Sequence, residues 1–335
     1  MSFRKLSIVF LALVAGAAAQ ARKPRKPVPR TRKPHPIIFN ADGINSPNQG
    51  QIKLGAHGSA VVRAQILLDR AHFSCGSIDG EFGSNLQKTV TAYQNDRQLA
   101  ETGSVDAATW ASLNTDQAPA LLSYTITDDD EKGPFVQIPD DLIKQAELAA
   151  MGYTSPLEEL GERFHASPQL LQRLNGGADF SKTGQQLMVP NVLTIPPGIA
   201  TTVYVSKSES SVRATSADGK LLAFYVATIG SEHDPLPLGN WKILGVAHNP
   251  VFHYSANLFW DAHNPDEKAE IKPGPNNPVG PVWIDLSKEH YGIHGTPEPA
   301  LVGHATSHGC IRLTNWDAME LASMVRPGTP AILKE

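Results

Sequence analysis

Apolar and polar residues follow three rhythms along this chain, and each predicts a different kind of structure. Between Leu54 and Leu113 the apolar positions recur at helical spacing. Val61, Val62, Ile66, Leu67 and Leu68, with Gln65 among them, mark one face, and Leu86, Val90 and Tyr93 mark another over residues 85–97. A third run begins near Asp106 and carries Trp110 and Leu113. The stretch Gly76-Ser77-Ile78-Asp79-Gly80-Glu81-Phe82-Gly83 breaks the rhythm with turn formers. Residues 51–116 are therefore expected to form a compact three-helix bundle.

The second rhythm occupies residues 146–195. Leu157, Leu160 and Phe164 mark one helix face, Leu170, Leu171 and Leu174 another, and Ser167-Pro168 reads as an N-cap with proline at the first helical position. A strand through Leu187 to Val189 ends at Pro190, and a weak first strand near Met151-Gly152-Tyr153 would complete a small βααβ module. The polar residues 117–145 between the two regions, with the acidic run Asp128 to Glu131, read as a linker holding at most one strand. From residue 200 to residue 335 the rhythm is that of strands: Thr202–Val205, Ser211–Thr215, Leu221–Ala227, Trp241–Val246, Pro281–Leu286 and Thr329–Leu333. Ala217-Asp218-Gly219-Lys220 is a hairpin turn, and Thr314–Val325 is the one clear helix of this mostly-β domain. The fold class expected is multidomain α+β. The chain's 335 residues suit two or three domains.

Charge changes the picture at one end only. Residues 1–36 hold nine of the 29 Lys/Arg and none of the 33 Asp/Glu, so a formal net charge of −4 becomes −13 for the rest. A mildly acidic body gives no case for nucleic-acid binding. Residues 1–21 have a basic start, an uncharged run from Leu6 to Ala19 and small residues at the end, the pattern of a secretory signal peptide. The apolar run is short for a membrane span of ~20 residues, although an uncleaved anchor is the competing reading. Residues 22–50 form a linker rich in Pro, Lys and Arg, extended and polyproline-like. It reads equally as a solvated tether or as a contact for an anionic surface. The expected location is periplasmic or cell-wall-associated.

Cys75 and Cys310 are the only cysteines. An oxidising compartment invites disulfides, but pairing these two would consume the more interesting thiol, so both are expected free. Cys75 reads as a small buried packer or, alternatively, a reactive group. Cys310 lies in Ser307-His308-Gly309-Cys310-Ile311-Arg312, sixteen residues after His294-Gly295-Thr296. A thiol attacks acyl groups as thiolate, so it needs a nearby base, and two histidines are at hand.

These motifs, with Pro237-Leu238-Gly239-Asn240-Trp241-Lys242, Pro273 to Gly280 and Leu313, resemble the L,D-transpeptidase catalytic domain, the YkuD-like family, over nearly all of residues 201–334. Residues 54–113, with their Asp79-Gly80-Glu81-Phe82-Gly83 run, resemble peptidoglycan-binding domain 1. Residues 146–195 resemble a degenerate LysM module, with Pro156 where the usual Gly-Asp/Thr pair would stand. The resemblance implies Cys310 as nucleophile, His294 as base and the Gly295 carbonyl as the group orienting the imidazole. It also implies an oxyanion hole from the N–H groups of His308, Gly309 and Cys310, with Ser307 shaping the turn. Asn276 and Asn277 are implied at the substrate. Arg312, two residues beyond the nucleophile and so on its face of a strand, would meet a substrate carboxylate or an internal acid. Trp283, Tyr291 and Trp260 would wall the acyl pocket or simply pack, and His304 would line the site or belong to an ordinary loop.

The reaction implied releases D-alanine from a tetrapeptide stem and passes the acyl group to an amine, giving 3–3 cross-links or anchoring a wall protein. Water as acceptor would make an L,D-carboxypeptidase. A catalytically dead wall-binding protein is the alternative from another class. A zinc site from His294, His304, His308 and Cys310 has suitable ligand types but lacks paired helical spacing. No metal or cofactor is expected. The partners expected are peptidoglycan stem peptides and glycan, together with carbapenem-type inhibitors, for a monomeric protein.

Overall fold

A computed structural model describes residues 39–192, 194–258, 264 and 266–335. The stretch read as a signal peptide, the basic spacer up to residue 38 and Trp260 lie outside the described residues. Among those described, no helix is long and apolar enough to cross a membrane.

The first region holds α1 (Ala41–Asn45), α2 (Ser59–Arg70), β1 (Phe73–Ser74), α3 (Ser84–Asp96) and α4 (Ala107–Leu113). Asp106 caps α4 by accepting the Thr109 N–H. Val61, Leu67 and Leu68 of α2 pack with Leu86, Val90 and Tyr93 of α3 and with Trp110 and Leu113 of α4, as their spacing predicts. Two features depart from the expectation. The last part of the basic linker is ordered as α1, and its Ile44 is fully buried with Val62 and Ile66. The connector after α2 forms β1, which leaves these helices to pair elsewhere. Cys75, beside it, is buried and free, and burial pushes its thiol pKa well up.

Next come β2 (Leu121–Thr125), α5 (Asp128–Lys132), α6 (Leu142–Gln145), α7 (Pro156–Arg163), α8 (Pro168–Leu174) and β3 (Gln186–Pro190). Ser155 and Ser167 cap α7 and α8, each with proline at the helix start. The strand that pairs with β3 is β2, antiparallel from Leu121↔Pro190 to Thr125↔Gln186, and it comes from the stretch read as linker. Met151 forms no strand there. Its N–H donates to the Pro273 carbonyl (2.9 Å) and its carbonyl accepts from Asn276 N–H (3.0 Å). The reason is local: Tyr153 is followed within three residues by the helix-starting Pro156, so this backbone has no room to continue as a ladder.

The remainder is β4 (Thr202–Ser206), β5 (Ser211–Thr215), β6 (Leu221–Val226), β7 (Thr228–Ile229), β8 (Gly239–His248), β9 (Phe252–Ser255), β10 (Lys268–Ile271), β11 (Val282–Leu286), β12 (Gly292–His294), β13 (Ile311–Arg312), α9 (Asn315–Met324) and β14 (Pro330–Lys334). Ten strands form one sheet in the order β1-β6-β5-β4-β14-β8-β11-β12-β13-β7, and β9 and β10 form a separate hairpin. Its apolar core runs from Val203, Val205 and Val212 through Ile243 and Ile284 to Ile293, Ile311 and Leu313, with Leu321 and Met324 of α9 against it.

β1 extends this sheet at the β6 edge, parallel, with Phe73 opposite Phe224 and Ser74 opposite Tyr225. The Phe73 and Phe224 rings stack at 6.3 Å, and Phe224 belongs to the apolar cluster of α2, α3 and α4. Covering an edge in this way removes a row of unpaired backbone groups that would otherwise invite other chains. The helical region and the sheet thus share a core.

Candidate active site

β12 and β13 run parallel, with Ile293 opposite Ile311 and His294 opposite Arg312. Leu313 N–H donates to the His294 carbonyl at 2.8 Å and ties the two strand ends together. Cys310 immediately precedes β13, and the Arg312 charge acts on both the Cys310 thiol and the His294 ring, so the strand pairing gathers the three into one neighbourhood. Sixteen residues of sequence thus become one step across a sheet.

The His294 ring is 4% exposed and its Nδ1 lies 2.7 Å from the Gly295 carbonyl. A carbonyl only accepts, so Nδ1 carries the proton and Nε2 is left with a lone pair. Burial first, then the charge of Arg312, lowers the imidazole pKa to about 3, against the Gly295 bond that raises it. At neutral pH His294 is therefore a neutral base. Trp283, opposite it on β11, stacks on the ring with centroids 5.3 Å apart and planes at 18°. This flat contact fixes the ring's tilt and excludes water from one face.

Cys310 is half-buried and its Sγ donates to the His290 carbonyl at 3.7 Å. Burial raises the thiol pKa, while the Gly292 backbone and Arg312 pull it down. Thiol and imidazole are therefore both neutral at rest. Ser307 closes the turn before it, its hydroxyl donating to the Cys310 carbonyl at 2.5 Å. Gly309 has φ +95°, and a Cβ there would sit 2.7 Å from a Tyr291 ring carbon. Only glycine fits that turn. His308 and Gly309 are its two residues before the thiol, and Tyr291 leans over it. His304 is exposed on the preceding loop.

Arg312 forms no ion pair among the described residues, and its Nε is buried with no hydrogen-bond partner. Glu298 and Cys310 act on it only through space, and burial lowers its pKa. It lines a small cavity with Thr228, Thr296, Glu298 and Val302. Of the two sequence readings, the internal salt bridge finds no partner here. Asn276 and Asn277 are placed differently from the substrate positions expected of them. The Asn276 amide donates to Gly152 O (2.9 Å) and Glu158 Oε1 (2.8 Å). That of Asn277, fully buried, donates to Ile271 O and Lys272 O. Both amides are committed to holding the loop before β11. Among the described residues no group of three His, Cys, Asp or Glu is arranged to hold a metal ion.

Two polar residues of this neighbourhood escaped the sequence reading. Asn315, 1% exposed at the start of α9, accepts the Thr296 N–H at 2.9 Å. Glu162 of α7 reaches Asn315 from the other side. A helix pattern marks Glu162 only as lying off the apolar face, so no signal in the sequence links it to the turn.

Residues 200–333 match the L,D-transpeptidase catalytic domain family, YkuD, and residues 57–113 match a candidate peptidoglycan-binding domain, PG_binding_1. The candidate L,D-transpeptidase YkuD of Bacillus licheniformis is 31% identical over 175 residues, covering 52% of this chain and 90% of that protein. Its Bacillus subtilis counterpart is 30% identical over 177 residues, with the same shares covered. Among solved structures, L,D-transpeptidase 3 of Mycobacterium tuberculosis is 18% identical with a TM-score of 0.34, covering 46% of this chain and 76% of that one.

Proposed function

The chain belongs to the L,D-transpeptidase family of peptidoglycan-modifying enzymes, and from that premise we propose a cysteine-dependent acyl transfer with Cys310 as nucleophile and His294 as base. The observation that supports this reading is the pairing of β12 with β13 beside a neutral His294 imidazole protonated at Nδ1, with the Arg312 charge acting on both the ring and the thiol.

The pKa directions favour a particular order of events. With the imidazole pushed down and the thiol pushed up by burial, an ion pair is not formed in advance. The proton moves when the substrate arrives. Sγ attacks the carbonyl carbon of the L–D bond as His294 Nε2 takes the thiol proton, and the carbonyl oxygen becomes an oxyanion. The turn at Gly309 favours backbone N–H groups of residues 308–310 as its donors, since a positive-φ residue between ordinary ones turns successive N–H groups to one side. Collapse expels D-alanine, whose nitrogen receives the proton from His294, and a thioester remains on Cys310. An acceptor amine then attacks, passes its proton to His294 and leaves as an amide, returning the thiol. Arg312, with its unpartnered Nε, is the cation for a stem-peptide carboxylate.

The helical region resembling a peptidoglycan-binding domain supports a substrate embedded in the wall, and the basic, apolar and small-residue start supports export to reach it. Muropeptide mass spectrometry tests this proposal. Wild-type protein should release D-alanine from tetrapeptide stems and produce dimers, and Cys310→Ala should do neither. D-alanine release without dimers would assign a carboxypeptidase. Equal products from both proteins would remove Cys310 from the mechanism.

A further inference from the structure

We propose that Glu162, on α7 in the region before the catalytic sheet, is a positioning residue for the His294 turn and acts through the Asn315 amide. This rests on His294 serving as the base at Cys310.

The contacts form a continuous chain. Asn315 Nδ2 donates to Glu162 Oε1 (2.8 Å) and Oε2 (2.9 Å), and also to the Pro275 carbonyl (3.0 Å). The same amide's Oδ1 accepts from Thr296 N–H at 2.9 Å. Thr296 follows Gly295, whose carbonyl holds His294 Nδ1 at 2.7 Å. The turn lies directly on this amide, because a Cβ on Gly295 would come 2.2 Å from Asn315 Oδ1. At so close an approach, rotating or withdrawing the amide moves the Gly295 peptide.

A side-chain amide has two nearly isosteric orientations, and only one serves here. Flipped, its NH₂ would face the Thr296 N–H, donor against donor. Two acceptors on Nδ2 oppose the flip, and one of them is a carboxylate that would repel Oδ1. An anionic acceptor also polarises the amide, making Oδ1 a better acceptor for Thr296. The carboxylate therefore sets both the direction and the strength of the bond that seats the turn. Its helix is held in place by neighbours of the same segment, since Met151 is bonded to Pro273 and Asn276, and Glu158 to Asn276.

The titratable groups facing Glu162 are Glu158 on its own helix, His165 just beyond it and Tyr153 before it, while α9 presents the neutral Asn315. Burial and then Glu158 raise the Glu162 pKa to about 7, against the bond to Asn315 that lowers it. Protonation below that pH replaces one acceptor oxygen by a donor hydroxyl, so positioning should strengthen as pH rises through about 7.

The test uses the full-length protein and two readouts, D-alanine release from a stem tetrapeptide and iodoacetamide alkylation of Cys310 across pH 5–9. Cys75 is buried, so alkylation reports the half-buried Cys310 thiol. Glu162→Gln should lower kcat roughly 10- to 100-fold, the scale of a misplaced catalytic group, with KM within about two-fold. It should also abolish a step near pH 7 in the wild-type alkylation profile. In an Asn315→Ala background, Glu162→Gln should have no further effect. Unchanged kcat and pH profile in Glu162→Gln, or losses additive with Asn315→Ala, would overturn the proposal. Should Glu162→Gln not fold, the wild-type profile decides, since a profile without the step is equally contrary. Cys310→Ala keeps the two levels apart: if it retains full D-alanine release, the catalytic reading itself fails; if it is dead while Glu162→Gln is normal, only the positioning role is lost.

Discussion

Two regions of this molecule bury titratable groups, and burial drives them in opposite directions. At the β12–β13 site the buried group is a base, and His294 is held neutral with its pKa near 3. At the seam between the helical region and α9 the buried groups are acids. Asp317, whose Oδ2 accepts from Ser74 Oγ at 2.9 Å, is raised to about 8 by burial and by Asp69. Around it His165 lies against Asp69 (3.0 Å), and His72 against Glu320 (2.6 Å). The physics is common to both, because low-dielectric surroundings favour whichever form is uncharged. For an imidazole that form is the proton acceptor that chemistry needs. For a carboxylic acid it is a neutral group that can stay buried where two pieces of a fold meet, accepting from Ser74. On the proposed reading of the site, one environment makes a catalyst and the other a fastening.

The largest effect is expected at the base. His294→Ala should reduce kcat on the order of 10⁴-fold. It should also flatten the acid side of the stability curve. His294 has a folded pKa below its unfolded value, so the unfolded chain binds the proton first, and its stabilisation is present above pH 6.5 and lost as pH falls towards 3. Thermal melts at pH 5 and pH 7 measure this, and an undiminished difference between them in the variant would contradict the depressed pKa.

A smaller loss is expected at the turn. Gly309→Ala places a Cβ 2.7 Å from the Tyr291 ring in a backbone conformation with φ +95°. Displacing one oxyanion donor costs about 10²–10³ in kcat. Steady-state kinetics should show that loss, and a Gly309→Ala enzyme of full activity would count against the turn's assigned role.

The smallest effect belongs to the fastening. Asp317 has a folded pKa above its unfolded value, so its stabilisation is complete below the unfolded pKa near 4 and lost as pH rises through about 8. Asp317→Asn mimics the protonated form and can still accept from Ser74. Its melting temperature should exceed the wild type's at pH 9 and converge with it at pH 5. Parallel curves across that range would show that the seam does not depend on the proton.

Much of the proposed site was legible because chemistry restricts which residues can do it. A cysteine preceded by Ser307, His308 and Gly309, with His294-Gly295-Thr296 upstream, limits the choices for nucleophile and base. The helices of the first region were legible because an amphipathic face must repeat every 3.6 residues, and the Ser167-Pro168 cap announces α8. The weak first strand at Met151 was misplaced because five residues of β2 in a polar stretch carry too little pattern to compete with a family resemblance. Asn276 and Asn277 look like substrate contacts in sequence, yet their amides hold backbone carbonyls and Glu158.

By itself, then, the sequence determined the local structure and the list of reactive groups, since both follow from side-chain type and short-range spacing. Only the tertiary structure decided the protonation states and the alliances between distant segments. It set Nδ1 of His294 against a carbonyl, left the Arg312 Nε unpartnered, joined β1 to the catalytic sheet and brought Glu162 to Asn315 across 153 positions. A pKa depends on how much water is excluded and which charges lie within a few ångströms, and neither quantity exists until the chain has closed on itself.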